Sequence, residues 1–95
     1  MNKYESVFIV NPSVEEDKVK ALIQKFSDLI NNDGKVLEVD EKGKIKLAYP
    51  VKKNSEGYFI ILHFESQPSV VTELERVYRI TDEVIKFMTT RVNEK

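Results

Sequence analysis

The chain has 95 residues, 41% hydrophobic and 33% charged, a balance that excludes a disordered segment and fits one folded domain with a modest core. Fifteen Lys and Arg against sixteen Asp and Glu leave a formal net charge of −1, which argues against a protein that grips nucleic acid alone through a broad positive surface. There is no cysteine, hence no disulfide or thiolate metal site, and no apolar run approaches the ~20 residues of a membrane span.

Met1 to Lys3 passes straight into a strand-like segment, Lys3 to Val10, without the regions of a signal peptide, so a cytosolic protein is expected. Val7-Phe8-Ile9-Val10 is β-branched or aromatic on both faces, which predicts a central strand. Asn11-Pro12 ends it. Ser13-Val14-Glu15-Glu16 has capping-box spacing, with the Ser13 hydroxyl expected to cap a helix and Glu16 to reach back. Val19, Leu22, Ile23, Phe26, Leu29 and Ile30 then form one apolar stripe at helical spacing. Asn32-Asp33-Gly34 stops the helix, with Gly34 suited to the left-handed terminal position.

Lys35 to about Pro50 alternates apolar and charged residues in the manner of a protected edge strand, where a proline is also tolerated. Between Lys42 and Ser55 stand five lysines and no acid. A solvated lysine-rich hairpin and a binding patch account for this run equally well. Asn54-Ser55-Glu56-Gly57 reads as a turn. Tyr58 to Phe64 is again apolar on both faces, hence central. Pro68-Ser69 opens a second helix with Val71, Leu74, Val77 and Tyr78 on its inner face, and Thr81-Asp82 breaks it. Val84 to Val92 is a last strand whose Lys86, Thr89, Thr90 and Arg91 give it edge character.

The order is β-α-β-β-α-β. Two central and two edge strands predict an α+β, ferredoxin-like domain over residues 1–95: one four-stranded antiparallel sheet with two helices on one face. Phe8, Val10, Ile60, Leu62 and Phe64 are expected under the helices. Phe59, Ile61 and His63 then project from the open face and leave apolar surface for a partner, a loop or a second copy to cover.

The chemistry of catalysis is missing. His63 is the sole histidine, and no single acid is obviously placed to orient it. There is no phosphate-binding glycine loop and no metal-ligand cluster, so no catalytic residue, metal or cofactor is expected. Glu15, Glu16 and Asp17 fall in the first turn of a helix, where carboxylates favour the helix dipole. An acyl-phosphate hydrolase of this topology would need an arginine in the loop after the first strand, which here reads Asn11-Pro12-Ser13.

Four strands in this order also invite comparison with the RNA-recognition motif, which stacks bases on aromatics of its central strands. Val7 to Asn11 is similar to the shorter of its two strand motifs. Glu56 to His63 departs from the longer one, with an acid at its start and Ile60 where a stacking aromatic belongs. An autonomous single-stranded RNA module of that type is therefore the alternative reading.

A closer resemblance runs through the whole chain. Tyr4-Glu5, Asn11-Pro12, Gly43, Leu47-Ala48-Tyr49-Pro50-Val51 with Lys53, Gly57-Tyr58-Phe59, Leu74-Glu75, Arg79-Ile80 and Val84-Ile85-Lys86 resemble the bacterial small-subunit ribosomal protein S-six family. The resemblance implies a ferredoxin-like structural constituent of the small ribosomal subunit, with no enzymatic role, small-molecule substrate or membrane association. It further implies binding to the central domain of small-subunit ribosomal RNA together with ribosomal protein S-eighteen. A basic partner would explain how a chain of net charge −1 binds RNA. Basic positions of the family correspond to Lys3, Lys53 and Lys86, where lysine stands for the family's common arginine at the last and lacks its planar fork. Lys52 and Arg91 join them by proximity and charge as expected RNA contacts. Lys44, Lys46 and Tyr49, on the charged edge strand, are the expected partner contacts.

Overall fold

A computed structural model describes residues 2–51 and 54–92, with the backbone alone described for Tyr49 and Val51. The elements run β1 (Asn2–Val10), α1 (Glu16–Asp33), β2 (Gly34–Val51), β3 (Asn54–Ser66), α2 (Pro68–Ile80) and β4 (Val84–Val92). The strand order is β2-β3-β1-β4 with every pair antiparallel, so the two apolar strands are central and the two charged ones form the edges. Both helices cover one face, and Phe8, Val10, Ile60, Leu62 and Phe64 are buried beneath them as the alternation predicted.

Aromatic rings centre the core. Phe8 meets Phe26 of α1 edge-on at 4.9 Å and Tyr78 of α2 at 5.3 Å, while Phe26 and Tyr78 lie 4.8 Å apart. One strand and both helices are thus joined through three rings in favourable geometry. The Tyr78 hydroxyl is buried but satisfied: it lies 2.8 Å from Ser6 Oγ, which in turn lies 2.9 Å from Thr89 Oγ1.

Burial pushes the Tyr78 phenol above its ordinary value of 10.0, with the Ser6 hydrogen bond opposing part of the shift. The folded state therefore favours the neutral phenol. Its contribution is fully present below the unfolded pKa of about 10 and is lost as pH rises beyond it. Urea denaturation followed up to about pH 11 should show an alkaline loss of stability, and Tyr78→Phe should reduce that loss.

Local chemistry departs from the sequence expectation at four places. Ser13 does not cap α1. Asn11 closes a turn of its own, its Oδ1 accepting from the Ser13 N–H at 2.9 Å and its carbonyl from the Val14 N–H at 3.1 Å. The helix starts beyond that turn, with Glu15 at the N-cap and no side-chain cap, while Glu16 and Asp17 do occupy the first turn. Gly34 is extended, at φ −162°, and starts β2 directly. Glycine is needed there for close approach: a Cβ would lie 2.5 Å from the Glu65 carbonyl oxygen and 2.7 Å from the Ser66 Cβ. Asn54 pairs with Val51, so Asn54 to Gly57 already belong to β3 instead of forming the turn. In α2, Val70 is buried beside Leu74, Val77 and Tyr78, and Val71 only borders the core. Those four buried positions share one helical face.

Candidate nucleic-acid interface

The helix-free face of the sheet is built by strand alternation. Val7 and Ile9 of β1 stand opposite Ile61 and Phe59 of β3 on one side, and opposite Met88 and Lys86 of β4 on the other. Phe59, Ile61 and His63 are only half-buried, and Met88 is 60% exposed. The far end of β2 leans toward this face. Leu47 and Ala48 join Val7, Ile9, Phe59 and Met88 around a cleft of about 260 Å³, with Lys46 and Lys86 also lining it. Gly57 keeps the neighbouring strands close, since a Cβ there would overlap the Ile9 side chain.

At the other end of the face, register sets Glu5 and Glu38 on either side of His63. The imidazole Nδ1 lies 3.3 Å from Glu5 Oε1, and Nε2 lies 4.0 Å from Glu38 Oε2. Two acids therefore flank a histidine for which the sequence suggested none. The pairing is cross-strand and becomes visible only once register is known. Each ring nitrogen faces a different carboxylate, and among the described residues no group of His, Cys, Asp and Glu could hold a metal ion.

The residues expected to bind are dispersed. Lys3 sits on the open face of β1, in register with Glu65 and Val92. Lys86 shares that face but lies opposite Ile9, roughly 20 Å away along the strand. Arg91 stands opposite Tyr4, on the helix side, and donates from Nη2 to Asn2 Oδ1 at 2.9 Å. Lys52 and Lys53 lie outside the described residues, as does the side chain of Tyr49, whose backbone is in β2. Lys44 is exposed on β2 with its ammonium 5.3 Å from the centre of the Tyr58 ring. Lys46 and Lys86, expected in different roles, are brought together at one cleft. Of the five hairpin lysines, Lys42 is tied to Asp40 at 2.9 Å, a bond that raises its pKa.

A cationic side chain absent from the expected set is Arg79. It lies in the last turn of α2 with its guanidinium over the Phe87 ring. Its position in the last helical turn was legible in the sequence. Its stacking on a residue of the next strand was not.

The chain is thus a two-layer α+β domain of the ferredoxin-like class, with one sheet face bare of helices and cations along both edge strands. Comparison with known proteins gives that class its family. The family model for ribosomal protein S6 matches residues 3–91. The small ribosomal subunit protein bS6 of Clostridium novyi is 51% identical over 89 residues, covering 93% of this chain and 94% of its own. That of Caldanaerobacter subterraneus is 44% identical over 95 residues, covering 99% and 100%. The crystal structure of 30S ribosomal protein S6 from Thermotoga maritima superposes with a TM-score of 0.91 at 34% identity, covering 96% of this chain and 87% of that one. The chain belongs to the ribosomal protein S6 family. It is a protein of the bacterial small ribosomal subunit, and with it cytoplasmic and RNA-associated.

Proposed function

We propose that this chain is a non-catalytic component that binds the central domain of small-subunit ribosomal RNA as a pair with ribosomal protein S-eighteen. The observation that carries this reading is the coincidence of an apolar sheet face bare of helices with cations that are dispersed and balanced by acids. A net charge of −1, with Lys3 and Lys86 roughly 20 Å apart on the open face, gives this chain no broad positive surface for the counterion release that drives tight RNA binding. A basic partner seated on the apolar face and on the β2 edge, near Lys44, Lys46 and Tyr49, supplies most of it. Lys3, Lys52, Lys53, Lys86 and Arg91 then add phosphate contacts that position the pair and read no bases.

The alternative, an autonomous single-stranded RNA module, has one observation in its favour: Phe59 on the open face of a central strand beside Lys46 and Lys86. Against it, Phe8 is fully buried and Ile61 lies where a second exposed ring would be wanted.

Lys53→Glu combined with Lys86→Glu tests the RNA contacts. Binding of the protein pair to the RNA should weaken, and the salt dependence of log K should fall by about one for each contact removed. The melting temperature should stay unchanged. Unaltered affinity would remove these two residues from the interface, and a collapsed melting temperature would make them structural.

A further inference from the structure

Arg79 lies in the last turn of α2 and is exposed. Its guanidinium carbon sits 5.6 Å from the centre of the Phe87 ring. Phe87 is itself held, packed against the buried Tyr78 ring at 5.1 Å. Nearby cations are committed elsewhere. Arg76 forks onto Glu73 through Nε at 3.1 Å and Nη2 at 2.5 Å, and Lys18 faces Glu83 at 4.0 Å. Among the described residues no carboxylate forms an ion pair with Arg79.

A guanidinium resting on an aromatic ring uses its weakly hydrated face for that contact. The five N–H donors radiate in its plane and stay available. Such an arginine has already lost much of its rotamer freedom, so closing onto a phosphate costs little further ordering. The surroundings suit an extended anion. β4 is an edge strand, with Arg79 above Phe87 on the helix side, Lys86 one residue before on the opposite side, and Arg91 further along on the Phe87 side. Lys86 and Arg91 are roughly 16 Å apart along the strand. Three cations thus flank one sheet edge.

We infer that Arg79, pre-set by Phe87, is a phosphate-binding residue of the RNA surface, and that the RNA backbone follows the outer edge of β4. This rests on the RNA-binding reading above and adds to it a residue and a path. A cation at the C-terminal end of α2 also favours the helix dipole, so the test needs a readout that a structural role would not move.

The experiment titrates a central-domain ribosomal RNA fragment with the full chain plus S-eighteen at several salt concentrations. The variants are Arg79→Gln, Arg79→Lys and Phe87→Leu, each with its melting temperature measured free of RNA. Arg79→Gln should lose roughly tenfold in affinity and lower the salt slope by about one, with no matching loss of stability. Arg79→Lys should keep the slope and recover part of the affinity. Phe87→Leu should keep the slope and weaken binding, because the charge remains but is no longer positioned. Wild-type slope and affinity in Arg79→Gln would overturn the inference while leaving the parent reading intact. So would an affinity loss that tracks the melting temperature. A wild-type pair that binds no RNA would overturn both.

Discussion

Phe8→Ala should lower the unfolding free energy by about 3–5 kcal/mol, the range for truncating a fully buried phenylalanine. Phe8 has no exposed surface and stands on a central strand between Phe26 and Tyr78. Truncation removes the ring that joins β1 to both helices and leaves a cavity walled by two further rings that cannot both collapse into it. Small domains hold only about 5–15 kcal/mol in total, so the loss approaches the whole margin. Denaturation by urea gives the answer. The midpoint should fall sharply at an unchanged slope, and a change near 1 kcal/mol would mean that the cluster repacks.

Gly34→Ala should destabilise by about 1–3 kcal/mol, although the residue is extended and any side chain suits its backbone angles. The reason is space. The new methyl would sit 2.5 Å from the Glu65 carbonyl oxygen and 3.2 Å from that of Ile30, both backbone atoms that no rotamer change can move. Relief requires the start of β2 to retreat from β3, where Gly34 pairs with Ser66. Amide exchange at Gly34 to Val36 should accelerate in the variant beyond what its global stability explains. An unchanged exchange pattern, or a gain in stability from stiffening the unfolded chain, would show that the two strands have slack at this corner.

Much of this arrangement was legible in the sequence because it follows from alternation. The doubly apolar runs around Phe8 and Ile60 could only be central strands, and the charged runs could only be edges. That distinguished central from edge strands and placed the residues beneath the helices. Features settled by local competition were harder to read. Ser13 carries the right spacing for a cap, but the Asn11 side chain captures its N–H and moves the helix start. Gly34 occurs where a helix terminator belongs, yet its role is set by a strand distant in sequence. The candidate interface was legible only as single charges. Strand register sets His63 between Glu5 and Glu38, and tertiary packing brings Lys46 and Lys86 to one cleft and Arg79 onto Phe87. Each of these contacts joins residues of different elements, and no local pattern encodes them.

The central claim is that this chain binds RNA as one half of a pair. The direct measurement is the affinity for a central-domain ribosomal RNA fragment, with and without S-eighteen, at two salt concentrations. Tight binding only with the partner, with a salt slope larger than that of the chain alone, is the predicted result. Equal binding by the chain alone would contradict it and favour an autonomous RNA module, and no binding in either case would remove the RNA contact from the proposal.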